Sequence, residues 1–443
     1  MASHTEAIAR AEAPSLSLHG LSVEGVNRCV HCGLCLAYCP TFSLLGTEMD
    51  SPRGRIYLIR SLAEGRIKLT DSTVRHLDLC LGCRACETVC PAGVPYGQLI
   101  EAGRAEIERQ RPGGGLRRLF RRVNFSMLAN RRLLAFAAAG LRFYQSSGLR
   151  RLARASGLLK LLPAPLGDWE PLLPDLPSAA ERAPLPERIP AEGSKRMTVA
   201  LLAGCIQQVA FGPQNRATAR VLAKNGCEVL VPRGHSCCGA LHAHSGEHEQ
   251  ALALAKKTIE VFESTGAERV IVNTSGCGAH MKAYGTLLAD DPAWRDRAAA
   301  FARRVNDISE FLAAEPLRGS LEPVRRKVTY HDPCHVVHGQ KIRKEPRALL
   351  AQIPGLDLVE LPESDWCCGS AGTYNLTQPE MAQRLQERKI AHVKATGAQV
   401  VVTSNPGCII QIAQGLRAAG SPVEVRHIVE LLDEAYRQEP RVG

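Results

Sequence analysis

A chain of 443 residues exceeds what one hydrophobic core usually serves, and at 45% apolar and 22% charged it is neither disordered nor collagen-like. Seventeen cysteines are far more than packing needs; with no basic-then-apolar leader and no uncharged run of about 18 apolar residues, the chain is expected in the reducing cytoplasm, where dense cysteine means metal rather than disulfide. The net charge of +11 is concentrated, since twelve Lys or Arg and no acid lie between Arg111 and Lys160, and such a field suits an acidic partner or anionic lipid.

In chain order, 1–20 reads as a leader, 21–110 as a helical domain carrying two cysteine runs, and 111–196 as a basic amphipathic segment with a proline-rich linker. Residues 197–320 and 321–443 read as two copies of one α/β domain. The fold class expected is α+β multidomain.

The first run, Cys29-Val-His-Cys32-Gly-Leu-Cys35-Leu-Ala-Tyr-Cys39-Pro40, has the spacing C-x2-C-x2-C-x3-C-P, and Cys80, Cys83, Cys86, Cys90 and Pro91 repeat it. Three thiolates so spaced reach three irons of one cubane, and the fourth cysteine ligates the other cluster. The expectation is therefore two 4Fe–4S clusters: Cys29, Cys32, Cys35 and Cys90 on one, and Cys80, Cys83, Cys86 and Cys39 on the other. Cys39 and Cys90 are each expected to open the next helix. Zinc is the alternative, but it usually takes two separated ligand pairs rather than one compact run ending in Cys-Pro. The residues between the runs, including DSPRGRIYLIRSL, read as helical, which favours a helical ferredoxin-like domain.

Downstream, TVALLAGC matches KVTYHDPC, HSCCGAL matches DWCCGSAG, and VIVNTSGC matches VVVTSNPGC. Cys205, Cys237, Cys238 and Cys277 thus correspond to Cys334, Cys367, Cys368 and Cys408. Strand-like runs at Thr198–Ala203, Glu228–Val231, Arg269–Asn273, Lys327–Tyr330, Asp357–Leu361 and Gln399–Thr403 precede the cysteines, and helical patterns at Glu247–Glu263 and Pro379–Thr396 follow. That alternation predicts parallel sheets with the cysteines beyond the strand ends. Glycine after each cysteine pair allows a left-handed turn. Gly276-Cys277 and Gly407-Cys408 are placed to open helices, whose N–H groups stabilise thiolate.

Together these residues resemble the cysteine-rich CCG domains of the heterodisulfide reductase family, and the whole layout is similar to the iron–sulfur subunit of glycolate oxidase. Ser51-Pro-Arg-Gly-Arg-Ile56, His331-Asp-Pro-Cys-His335, Trp366-Cys-Cys-Gly-Ser-Ala-Gly-Thr-Tyr-Asn375 and Asn405-Pro-Gly-Cys408 carry the resemblance. It implies an electron-transfer subunit of a glycolate dehydrogenase complex, taking electrons from FAD-containing partner subunits and passing them to a membrane quinone or another acceptor. Lactate-utilisation and anaerobic glycerol-3-phosphate dehydrogenase subunits share the CCG layout and are the alternatives. The heterodisulfide reductase pattern ends in C-x2-C, whereas here the endings are Cys277-Gly-Ala-His280 and Cys408-Ile-Ile-Gln411. Thiol–disulfide chemistry of that type is therefore the weaker alternative, and the CCG cysteines are candidates for a further iron–sulfur centre or for redox-active thiols.

His331, His335, His338, His235, His242, His244 and His248 lie around the CCG cysteines and read as structural, because copy one has no histidine beside Cys205. Cys227 aligns with Asp357 and reads as a small buried hydrophobe. No glycine-rich nucleotide fingerprint follows a strand, so two-electron alcohol chemistry is assigned to a partner flavoprotein. The basic segment suits the cytoplasmic face of the inner membrane, with a helical hairpin covering the ferredoxin-like domain or docking a partner subunit as the alternative. Nucleic acid is not expected, since no binding module accompanies the charge.

Overall fold

The computed structural model describes residues 23–111, 114–157, 170 and 173–437; the leader expected at 1–20 and part of the proline-rich linker lie outside them. It divides into two compact units. Residues up to Gly113 with His244–Gly246 form the first, and the remainder forms the second.

The first unit is helical: α1 (Val23–Asn27), α2 (Pro40–Leu45), α3 (Pro52–Ala63), α4 (Asp71–Asp78), α5 (Ala85–Thr88) and α6 (Tyr96–Gln110). Its core sets Ile56 and Ile59 of α3 against Leu77 of α4 and Leu99 and Ile100 of α6, with cysteines of both runs in the same cluster. Cys39 caps the N-terminus of α2, as its position before Pro40 predicts. Cys90 does not open a helix: Pro91 is followed by a turn, and the next helix begins at Tyr96. Gly93, at φ +63°, turns the chain away before a helix can start.

The second unit begins with α7 (Gly115–Ala129), α8 (Arg131–Ser146) and α9 (Leu149–Ala155). Two sheets follow. The first contains β1 (Arg188–Ile189), β2 (Met197–Leu201), β3 (Cys227–Leu230), β4 (Arg269–Val272) and β5 (Val305–Asp307) in the order β1-β3-β2-β4-β5. The second contains β6 (Lys327–Tyr330), β7 (Asp357–Val359), β8 (Val400–Thr403) and β9 (Glu424–His427) in the order β7-β6-β8-β9. Every pairing is parallel except that of β1. β3-β2-β4-β5 and β7-β6-β8-β9 are one topology used twice. β1, β5 and β9 were not anticipated, since each is short and carries too few apolar residues to register as a run.

The two sheets share a core. Val199 and Leu201 of β2, Val328 and Tyr330 of β6, Val400 of β8 and Ile428 belong to one buried cluster. Cys227 lies in it too, fully buried, and burial pushes its thiol up to about 11. The basic helices are half-covered: Phe125 and Leu128 of α7 and Leu134 of α8 pack beside Cys205 and Ile206, so this segment is a hairpin seated on the first α/β copy.

His427 joins the two sheets, its Nε2 donating to the Asn273 carbonyl after β4 at 2.9 Å while Nδ1 accepts from the Val429 amide at 3.2 Å. Burial depresses its pKa from 6.5 to about 4. The folded state therefore binds the proton more weakly than the unfolded chain, so this contribution is complete above pH 6.5 and is lost as pH falls toward 4. Between pH 7 and pH 5 the loss from this residue is about 2 kcal/mol. Thermal melts at the two pH values should show a smaller pH effect in His427→Gln than in the parent.

Candidate metal centres

The two cysteine loops of the first unit have the same backbone form. In the first, His31 (φ +54°) and Gly33 (φ +85°) are left-handed; in the second, Gly82 and Arg84 (both φ +64°) take the same two places relative to the cysteines. Alternating left-handed residues turn successive N–H groups inward, the usual way backbone makes a concave site for a negatively charged group. Cys29, Cys32 and Cys35 of the first loop, together with Cys90 and Pro91, line a hollow that is partly open to solvent, and Cys86 reaches its wall. In the second loop, burial raises the Cys86 thiol well above its ordinary range, and Cys83, Cys80 and Cys39 add to the shift. The fourth cysteine of each run thus stands beside the other loop. Both donor sets are soft sulfur in concave backbone, which fits a thiolate-held cluster.

The segment Ser51-Pro-Arg-Gly-Arg55 can be read residue by residue. Ser51 caps α3 by accepting from the Gly54 amide at 3.0 Å, and Pro52 occupies the first helical turn, where no N–H is missed. Arg53 reaches back to the first loop, donating to the His31 carbonyl at 3.1 Å while paired with Glu48 at 2.7 Å. Gly54 lets α3 touch the preceding turn: a Cβ there would lie 2.0 Å from the Glu48 carbonyl oxygen. Arg55 is fully buried and donates to the His76 carbonyl at 2.7 Å and to Thr41 Oγ1 at 3.0 Å, with Asp50 at 3.5 Å. Burial alone would lower its pKa; the acidic groups around it, Tyr96, Cys80, Cys39 and Asp50, outweigh that and keep it charged. Cys80 is the beneficiary. Burial pushes its thiol up, but Arg55 and Arg104 and a 3.3 Å hydrogen bond with the Tyr96 hydroxyl bring it below the usual range. A charged residue on the apolar stripe of α3, between Pro52 and Ile59, was the legible sign of this role.

In the second unit each copy gathers its four cysteines beyond the carboxyl ends of its strands. Cys205 follows β2 and Cys334 follows β6; Cys277 and Cys408 lie in the first turns of the helices Ser275–Lys282 and Pro406–Ala418. Both CCG glycines are left-handed, Gly239 at φ +87° and Gly369 at φ +91°, and a Cβ on Gly369 would stand 2.5 Å from the Ala382 carbonyl oxygen. The two CCG turns are neighbours, for Leu241 Cδ2 lies 2.9 Å from where a Gly372 Cβ would be. Asn405 Nδ2 donates to Cys408 Sγ at 3.3 Å. Cys334 leads into a π-helical turn, His335–Gly339, a rare element found mostly at functional sites.

The copies differ in electrostatics. In copy one, Cys238 is held well above the ordinary thiol range, because the effects of Cys277 and burial outweigh that of Cys237. In copy two, Cys367 and Cys408 both hydrogen-bond to Cys368 and hold it below that range, and His331 adds to the effect. Lys389, buried, donates to the Glu363 and Ser364 carbonyls and faces the Cys367 and Cys368 thiols. Its counterpart in copy one is Thr258. Of the histidines read as structural, His338 bonds the Asp365 carbonyl at 3.1 Å and His242 the Phe125 carbonyl at 3.3 Å. His331 instead lies against Cys368 and Cys408, and neither of its buried ring nitrogens has an oxygen or nitrogen partner for a hydrogen bond.

Comparison with known proteins follows these divisions. Residues 25–94 match the 4Fe-4S dicluster domain, 116–173 the linker region of the glycolate oxidase iron-sulfur subunit, and 199–282 and 328–413 the cysteine-rich domain. Over 416 residues the chain is 42% identical to the probable glycolate oxidase iron-sulfur subunit of Bacillus subtilis, covering 92% of this chain and 93% of that one. Over 420 residues it is 35% identical to the glycolate oxidase iron-sulfur subunit of Escherichia coli, covering 94% and 95%. Lactate utilization protein A of Shouchella clausii is 32% identical over 238 residues, which span 54% of this chain and 99% of that one. With a dicluster domain and two cysteine-rich domains, iron–sulfur clusters are the cofactors of this chain.

Gly54→Ala should destabilise the protein by about 3 kcal/mol, since backbone must move to admit the methyl. Gly140→Ala, in the interior of α8 where a Cβ meets nothing within 4 Å, should instead stabilise by about 0.5–1 kcal/mol in the same melts. Arg55→Met removes the guanidinium from Asp50, which keeps its 2.9 Å contact with His76, and leaves the His76 carbonyl and Thr41 without their buried donor, at a cost of about 3 kcal/mol. In whatever protein folds, removing that positive charge should lower the potential of one cluster in a redox titration.

Proposed function

The chain belongs to the glycolate oxidase iron–sulfur subunit family, and on that premise we propose that it is the electron-transferring subunit of a glycolate dehydrogenase complex. Oxidation of glycolate to glyoxylate removes two electrons and two protons, and a flavin on a partner subunit is suited to take them. The clusters supply one-electron transfer, so this chain would receive the pair in two steps and pass it to quinone or another acceptor. The observation that carries the reading is the pair of like-folded cysteine loops, each standing beside the last cysteine of the other run. It supports Cys29, Cys32, Cys35 and Cys90 as ligands of one cluster and Cys80, Cys83, Cys86 and Cys39 as ligands of the second. The match of 116–173 to a linker named for glycolate oxidase favours glycolate over lactate.

The chain's own residues have definable tasks in this scheme. Arg53 and Gly33 set the first loop against α3, while Arg55, Arg104 and Tyr96 place positive charge and a hydroxyl beside Cys80. Such charges and hydrogen bonds tune potential. The four cysteines of each CCG copy are read as holding a further iron–sulfur centre.

The outer face of the basic helices is read as a membrane-docking surface. Leu119, Phe120 and Val123 of α7, Leu133, Phe136 and Phe143 of α8, and Leu149 and Leu152 of α9 are exposed, Phe136 to 82%. Arg118, Arg122, Arg132 and Arg151 are exposed among them. Apolar side chains interleaved with arginines suit the headgroup boundary of an anionic leaflet. Among the described residues no helix is long and apolar enough to cross a membrane.

Purified with its flavoprotein partner, the chain should support glycolate-dependent dye reduction, and Cys83→Ser should abolish it while leaving flavin bound. Activity with lactate or glycerol 3-phosphate alone would overturn the substrate assignment. The complex should also sediment with phosphatidylglycerol vesicles and lose that binding in Phe136→Glu/Phe143→Glu. Equal sedimentation of parent and variant would remove this face from the membrane.

A further inference from the structure

We propose that His331 is a metal ligand: its imidazole would join the cysteines that hold the centre in the second CCG copy, beside Cys368 and Cys408, and the first copy has no counterpart. This rests on the reading that the copy-two cysteines hold an iron–sulfur centre.

Three observations carry it. First, a ring nitrogen of His331 and the sulfurs of Cys368 and Cys408 all lie within 4.8 Å of one another, and all three residues are buried. Among the described residues this is the one such triad of histidine, cysteine or acidic groups. Secondly, neither buried ring nitrogen has an oxygen or nitrogen partner; the hydrogen bond the ring makes is to the Cys368 sulfur, which leaves its other nitrogen with none. A buried imidazole left so is costly, and native proteins normally give such a group a partner. A bound metal ion would provide one, and neutral imidazole is a common ligand for iron.

Thirdly, the backbone that carries the ring is fixed on both sides of it. The His331 amide donates to the Val402 carbonyl of β8 at 2.9 Å, fixing the residue at the end of β6. Asp332, fully buried, takes a two-pronged bond from Arg347 at 2.9 and 2.8 Å, which anchors the turn leading to Cys334. Metal ligands oriented by such outer contacts are characteristic of built sites.

The neighbouring copy supplies the contrast. The position of His331 is Leu202 there, and that of Lys389 is Thr258. Copy one instead has His280 three residues after Cys277, where copy two has Gln411, occupied in bonds with Asn375 and the Ala382 carbonyl. The duplicated pockets have thus kept their thiols and diverged in everything around them. Histidine in place of cysteine removes negative charge from a cluster and raises its potential, as in centres where two histidines replace two cysteines.

The test uses the full chain, produced with 15N-histidine and purified without oxygen. Iron and acid-labile sulfide are counted, and pulsed paramagnetic resonance records nitrogen coupling in the reduced and oxidised protein. Two cubanes account for about eight irons, so a larger count marks a CCG centre. Expected are iron above that count and a strongly coupled histidine nitrogen that persists in His280→Ala and disappears in His331→Ala. His331→Cys should keep the iron, lose the coupling and shift one midpoint to lower potential. Extra iron with no nitrogen coupling in the unmodified chain, or coupling that survives His331→Ala, would overturn the ligand assignment alone. No iron beyond the two cubanes would instead remove the CCG centre on which it rests.

Discussion

Thiols that stand close enough to share a metal also stand close enough to repel one another once ionised, and burial in a low-dielectric interior makes that repulsion worse. Cys86, Cys205, Cys238, Cys367 and Cys408 all show the result, each held above the ordinary thiol range by burial and by its neighbours. A protein that collects sulfur in this way needs positive charge at the same place. Bound iron supplies most of it, and fixed residues supply the rest. Arg55 beside Cys39 and Cys80, and Lys389 beside Cys367 and Cys368, are those fixed residues, each buried deeply enough that solvent does not screen it.

The same demand explains the backbone. Sulfur donors a few residues apart converge only if the chain curls tightly, and curling needs left-handed residues and close approaches. His31, Gly33, Gly82, Arg84 and Gly239 provide the first kind; Gly54 and Gly369 pass carbonyls where a side chain would collide. Helix starts do the remainder. Asn405 and Pro406 begin a helix that presents Cys408 at its first turn, with Asn405 donating to the sulfur.

Much of this was legible in the residues. The cysteine spacings, the 197–443 duplication and the strand–helix alternation follow from local patterns that the fold preserves, and six strands fall where the apolar runs lie. Three features escaped. β1, β5 and β9 are too short to show a period, and exist because the sheets offer them an edge to pair with. Cys90 lies in a turn rather than at a helix start, since Gly93 intervenes. His331 was read as structural because the comparison between copies suggested that a histidine there was dispensable; only the folded chain shows its ring against Cys368 and Cys408. The long-range partners of Arg55 and Lys389 were hidden for the same reason, although a charge on the buried stripe of α3, or between Leu385 and Val393 in the helix Pro379–Ala395, carries a visible trace.

The core common to both sheets has a bearing on how such a chain changes over time. The strands that hold the halves together contribute their middles to that core, while the reactive groups lie past their tips. Stability and chemistry are therefore carried by different stretches of the same strands. A mutation at a tip can replace leucine by histidine, and one on a helix that faces the site can replace threonine by lysine, without loosening the architecture that the other half also relies on. Gene duplication followed by drift would then be expected to leave one scaffold and two unlike electron-handling sites, and the pairs Leu202/His331 and Thr258/Lys389 are what such a history would look like.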